Sequence, residues 1–275
     1  MVRFRWFVVL GLVVATVLVA TVLRDRKPLR SEFCVAQVGT VRAEIDLEQA
    51  RWASLMAAIS QRRGLPPRAT SIAIATAFQE SKIHNIDYGD RDSVGLFQQR
   101  TSQGWGTVKQ ISDPHYSIGR FYDALVKIKG YQSMKITEAA QKVQRSAFPG
   151  AYAQHEDYSR ALASALRGYS PAKFTCQINP KGSGTIARVT QDVKAAFGGI
   201  PFATDGDDAS YPLTGKASDV RARGWALAHY LVGNASHLRI TDISFGNRQW
   251  SAEDSDKGWT ARSGTDSDTV RVSTN

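Results

Sequence analysis

The chain is 275 residues long, 43% hydrophobic and 22% charged, enough for one good core and a smaller second unit. A formal charge of +10 and a pI near 9.7 point to an anionic neighbour. No basic and aromatic motif of a nucleic-acid module accompanies that charge, so nucleic acid is not an expected partner, and an anionic cell wall or lipid surface fits better.

From Trp6 to Leu23 eighteen residues run without a charge, preceded by Arg3 and Arg5. That is the minimum length of a membrane-spanning helix. A signal peptide shares these features, but the run is longer than a typical signal core and the small-x-small pattern of a cleavage site is poor before Thr21. Residues 1–33 therefore read as an uncleaved single-pass anchor with a basic juxtamembrane segment, a secreted chain being the alternative. Arg24, Arg26, Lys27 and Arg30 crowd the far side, so the positive-inside count does not favour an exported C-terminus. Export is argued instead by the cysteines and by the substrate inferred below. Cys34 and Cys176 stand at the two ends of the next region, where a staple would sit. A bond between them would contribute about 4 to 5 kcal/mol through chain entropy and implies an oxidising compartment; two free buried thiols are the alternative.

Residues 34–178 read as a run of helices. Asp46 is placed to cap a helix to about Arg63, with Trp52, Leu55, Met56 and Ile59 as its apolar stripe and Gly64 as its stop. Pro66 and Pro67 separate it from a second helix whose small and apolar residues, Ser71 to Phe78, are too few to span a bilayer but suit burial on all sides. This helix ends in Gln79, Glu80 and Ser81. Glu80 therefore follows an apolar run and faces the negative pole of the helix, and both effects favour its protonated form. A carboxylic acid held neutral near neutral pH is what a general acid needs for cleaving a glycosidic bond. The alternative is an ordinary solvated glutamate.

The loop from His84 to Ser93 carries Asp87, Asp90 and Asp92. A calcium loop is not supported, because the EF-hand spacing and its closing glutamate are missing. One of the three aspartates is instead a candidate second carboxylate, activating water across the sugar in an inverting hydrolysis. In Gly95-Leu96-Phe97-Gln98 the glycine lets the backbone approach a ligand and the glutamine offers donor and acceptor. Gln99, Arg100, Gln103 and Trp105 look like a groove lining, Trp105 stacking on sugar or else packing on the core. Ser112-Asp113-Pro114 starts another helix with Ile118, Phe121, Tyr122, Leu125 and Val126 inward, and Thr137 caps one through about Ser146. A final helix, about Tyr152 to Arg167, is expected to bury Tyr158, Leu162 and Leu166. The five histidines lack metal-site spacing, so neither metal nor cofactor is expected.

Residues 179–185, beginning Asn-Pro-Lys-Gly-Ser-Gly, read as a linker, and residues 186–275 as a small α+β domain. Helices are expected near 186–197 and 220–232, a polar loop at 204–210, and strands at 238–245 and 270–273.

Glu80-Ser81 followed by Gly95-Leu96-Phe97-Gln98 resembles the Glu-Ser and Gly-Leu-Met-Gln signatures of soluble lytic transglycosylases and goose-type lysozymes, with Phe97 in place of methionine. The surrounding text is similar to membrane-linked or secreted lysozyme-like domains of high-GC Gram-positive bacteria, over roughly residues 40–175. The resemblance implies a mainly α fold with a small α+β appendage, Glu80 as the single catalytic acid, and peptidoglycan glycan strands as the partner. It implies that Ser81 and Gln98 orient the sugar or the acid. Ala151-Tyr152-Ala153 stands where the family has Ala-Tyr-Asn, so Tyr152 alone carries over as the tyrosine reaching the acid. A non-catalytic wall-binding protein of the same fold is the alternative. The ending Asp268 to Ser273 is similar to the last strand of D-alanyl-D-alanine peptidase-like domains, but Arg271 replaces the zinc-binding histidine, which implies a wall-binding or structural role.

Overall fold

The computed structural model describes residues 31–144, 150, 152–180, 182–264 and 266–275. The expected anchor, residues 6–23, lies outside them, and among the described residues no helix is long and apolar enough to cross a membrane. Glu32 to Asn275 form one compact unit.

The unit opens with strands rather than a helix. Strand β1 (Phe33–Val38) turns at Gly39, φ +57°, into β2 (Val41–Ile45). Cys34 and Ala36 of β1 and Ala43 and Ile45 of β2 alternate inward, the period-two pattern of a half-buried sheet. Helix α1 (Leu47–Arg62) follows, capped as expected by Asp46, whose side chain accepts from Gln49 N while Gln49 Oε1 accepts from Asp46 N, both at 2.8 Å. Helix α2 (Pro67–Ser81) is buried almost throughout from Ala69 to Ala77. A short ribbon, β3 (Ser93–Val94) with β4 (Gln99–Arg100), encloses the Gly95–Gln98 turn. Then come α3 (Val108–Ile111), α4 (Pro114–Leu125, capped by Asp113), α5 (Ile136–Gln144) and α6 (Glu156–Leu166). Thr137 lies inside α5 rather than before it, and Val126, expected inward, follows the end of α4 and is 44% exposed.

Helix α6 begins four residues later than expected and buries Leu162 and Leu166 as expected, but not Tyr158. Ser159, Leu162, Ala163 and Leu166 are buried, whereas Tyr158 is 49% exposed. The small residues let α6 lie close along α2, and a tyrosine ring would not fit that seam. Strand β5 (Phe174–Gln177) then returns to β1, giving a three-stranded sheet in the order β2-β1-β5. Its register pairs Cys34 with Cys176, and the two form a disulfide across 142 positions, as their placement suggested.

Beyond the expected linker lie α7 (Ile186–Phe197), β6 (Ala203–Asp205), β7 (Asp208–Pro212), α8 (Ala217–Leu238), β8 (Asp242–Phe245), β9 (Arg248–Ser251), β10 (Thr260–Ala261) and β11 (Thr269–Ser273). The strands make an antiparallel sheet in the order β10-β9-β8-β11-β7-β6. The stretch expected as a polar loop at 204–210 is therefore the β6–β7 hairpin, turning at Gly206, and residue 238 closes α8 instead of opening a strand. Helix α8 packs on α1 and α6: Asn234 Nδ2 donates to Ser54 Oγ at 3.1 Å, and His229 Nδ1 lies 2.7 Å from the Ala165 carbonyl. With 46% helix and 18% strand in several antiparallel sheets, the fold is mixed α/β, which corrects the expectation of a mainly α protein.

Candidate active site

The C-terminal end of α2 is fixed by two consecutive left-handed residues, Lys82 (φ 54°) and Ile83 (φ 57°). Ile83 is fully buried, and Gln49 Nε2 donates to the Lys82 carbonyl at 2.8 Å, so burial and a cross-helix bond hold a conformation that side chains with a Cβ disfavour. The last turn thereby presents Glu80 to a cleft of about 800 Å³, lined also by Glu48, Lys82, His84, Asp87 and Tyr88.

Glu80 is partly buried. Tyr152 Oη donates to its Oε1 at 2.7 Å, and the Gln144 side chain bonds it as well. Burial raises its pKa above the ordinary carboxylate value, against the smaller lowering effect of those two hydrogen bonds. Gln144 also donates from Nε2 to the Phe97 carbonyl at 2.7 Å, so one amide connects the acid to the Gly95–Gln98 turn.

That turn is braced from every side. Ser81, buried, donates to the Leu96 carbonyl at 2.8 Å, and Gly95 N donates to the Ile86 carbonyl at 2.7 Å. Phe97 is buried and stacked on Phe121 at 4.4 Å. Gly95 has φ +79°, and a Cβ there would meet the Ile111 carbonyl at 2.9 Å. The glycine thus permits a close approach of the chain to itself, where the sequence suggested an approach to a ligand. Gln98 accepts from Ser93 Oγ at 2.9 Å and donates to the Tyr88 carbonyl at 3.2 Å, tying the loop together. Gln99 is 1% exposed, and its amide donates inward to the Ser117 carbonyl. Trp105 is packed partly on the core and faces a second hollow of about 600 Å³, whose wall includes Gln144.

The three aspartates are separated in role. Asp92 pairs with Arg100 Nε at 2.7 Å and accepts from Ser102 N at 2.8 Å; these bonds hold its carboxyl well below the usual range. Asp90 is exposed and lies outside the cleft wall, whereas Asp87 lines it. Among the described residues no group of histidine, cysteine, aspartate or glutamate is arranged to hold a metal ion.

Three residues in or behind the cleft wall escaped the sequence reading. Gln144 needed the tertiary meeting of α5 with α2. Tyr88, 70% exposed, presents an aromatic face at the cleft wall. Glu48 had a readable signal as an acid in the first turn of α1, but nothing local placed it beside Glu80.

No curated protein matches the chain. Residues 182–272 match a family model described as VldE, C-terminal domain, a match confined to the last third of the chain and lying beyond every residue of the cleft.

Proposed function

We propose that the protein is a membrane-anchored, extracytoplasmic lytic transglycosylase that cleaves the β-1,4 bond between N-acetylmuramic acid and N-acetylglucosamine in peptidoglycan. The observation that carries this reading is Glu80, partly buried, raised in pKa and bonded by Tyr152 at the wall of an open cleft. The resemblance of Glu80-Ser81 and Gly95 to Gln98 to lytic transglycosylase signatures supplies the reaction.

In the scheme that this implies, Glu80 gives its proton to the leaving O4 as the C1–O4 bond breaks. The resulting carboxylate takes the proton from the muramic acid C6 hydroxyl, and O6 bonds to C1 to close a 1,6-anhydro ring. Burial favours the acid before the step, and the Tyr152 and Gln144 donors steady the carboxylate between the two transfers. The anchor at residues 6–23 and the positive charge would keep the enzyme at the membrane beside an anionic wall. The disulfide fits an oxidising compartment.

The test is digestion of purified walls with wild type and Glu80→Gln, with products weighed by mass spectrometry. Products lighter by one water, released by wild type alone, are expected. Hydrated products would make the enzyme a lysozyme. Sedimentation with walls without release would make it a wall-binding protein.

A further inference from the structure

The cleft holds a second glutamate in surroundings opposite to those of Glu80. Glu48 Oε1 accepts from Trp52 Nε1 at 3.0 Å and from Asn85 N at 3.2 Å, while Oε2 lies 3.1 Å from His84 Nδ1. The other ring nitrogen, His84 Nε2, lies 3.3 Å from Asp46 Oδ2, so the imidazole is clamped between two carboxylates. Donors from α1 and from the 84–85 segment thus converge on one carboxylate whose side chain stays 48% exposed. These bonds hold its pKa below the ordinary value, although partial burial acts the other way. The helix poles reinforce the contrast: Glu48 stands in the first turn of α1, at the positive end, and Glu80 in the last turn of α2, at the negative end. Two carboxylates driven apart in one cleft mark an acid and an ionised partner.

We propose that Glu48 is the ionised carboxylate of the cleft and stabilises the positive charge that develops on the sugar ring while Glu80 protonates the leaving oxygen. The inference rests on the cleavage reading above and adds to it a residue that the signature motifs do not include. A transition state of this kind carries oxocarbenium character, and an anion held in place by Trp52 and Asn85 stabilises it more than the uncharged ground state. No proton passes to or from Glu48 in this role. Asp92 is not placed for it, since it lies outside the cleft wall and is tied to Arg100 and Ser102. Among the described residues, Lys82, Asp87 and His84 also line the cleft, with Asp46 behind His84.

The experiment compares the full chain as wild type, Glu48→Gln, Glu48→Asp and Glu80→Gln on purified walls, with kcat and KM separated and melting curves run in parallel. Glu48→Gln keeps an oxygen to accept from Trp52 and Asn85 but removes the charge. It is expected to lower kcat by roughly tenfold or more with KM within about twofold. Glu48→Asp, which keeps the charge, should recover part of that loss. If wild type cleaves, Glu80→Gln does not, and Glu48→Gln stays within about twofold of wild type, the role of Glu48 falls while the cleavage reading stands. Equal losses in the Gln and Asp variants overturn it too, by showing that only the geometry of the 84–85 contact matters. A wild type that releases nothing from walls removes the cleavage reading, and this inference with it.

Discussion

Tyr152 Oη donates to Glu80 Oε1 at 2.7 Å, joining residues 72 positions apart. The bond stabilises the carboxylate over the acid, so it moderates a pKa that burial pushes upward. Tyr152→Phe removes the donor and leaves the ring. The Glu80 pKa then rises further, and under the cleavage proposed above the alkaline limb of activity on walls moves to higher pH. Turnover should fall by roughly tenfold, since the carboxylate formed in the first proton transfer loses a stabilising partner. A pH–rate profile of the two proteins reads both effects, and an unmoved alkaline limb would contradict the assignment of Glu80 as the acid.

The same carboxyl has a consequence for stability. Its folded pKa is raised above the unfolded value, so folding favours its protonated form. The stability it contributes is fully present below the unfolded pKa, and it is lost as pH rises through the folded pKa. Glu80→Gln replaces the acid by a neutral amide and abolishes that loss. The melting temperature of the variant relative to wild type should therefore rise as pH is raised from the unfolded towards the folded pKa and level off above it, with the relative value lowest in acid. Melting curves at a series of pH values, in one buffer system and at one ionic strength, provide the measurement.

Elements with chemical punctuation of their own were legible in the sequence. Asp46 with Gln49, and Asp113 before Pro114, mark helix starts whatever lies elsewhere in the chain, and the apolar run before Glu80 announces a buried helix. Strands β1, β2 and β5 were not legible. Each has four to six residues, and β1 finds β5 only after a helical region of more than a hundred residues, so no local pattern records the pairing. Site residues divide in the same way. Glu80 and Tyr152 were found through motifs, whereas Glu48 and Gln144 acquire meaning only when α1 and α5 are brought to the end of α2. Gln99 was read as part of a groove lining, but β4 turns it toward α4, where the Ser117 carbonyl takes its amide.

Gly95 tests whether the braced turn positions the acid. At φ +79°, with the Ile111 carbonyl 2.9 Å from where a Cβ would stand, Gly95→Ala meets both backbone strain and a contact with main chain that cannot swing aside. A cost of about 1 to 3 kcal/mol is expected, seen as a lower denaturant midpoint with an unchanged slope. Displacing the turn also disturbs the Phe97 carbonyl that holds Gln144 beside Glu80, so activity measured well below the new melting temperature should fall as well. Lost stability with full activity would separate the turn from the site.

His229 contributes to the acid sensitivity of the fold. It is wholly buried on α8 among Trp225, Trp259 and Phe174, with Nδ1 2.7 Å from the Ala165 carbonyl of α6. Burial pushes its pKa down from 6.5 to about 4, and the bond to Ala165 only partly opposes that shift. The native protein therefore binds this proton less readily than the unfolded chain. Stability is highest above the unfolded value and declines as pH falls from about 6.5 towards 4, by about 3 kcal/mol in total. Replacing the imidazole by a group that does not titrate removes the decline. His229→Phe should lose about 1 kcal/mol at neutral pH with the Ala165 hydrogen bond, yet show a flatter dependence of unfolding free energy on pH across that window. Because the residue joins the helix carrying the last-third family match to the helix that follows Tyr152, acid should loosen this contact before pH reaches the range in which ordinary carboxylates protonate. Hydrogen exchange on α6 and α8 at pH 5, faster in wild type than in His229→Phe once each is scaled to its own neutral-pH rate, is the expected signature. Equal pH slopes in the two proteins would place the acid sensitivity elsewhere.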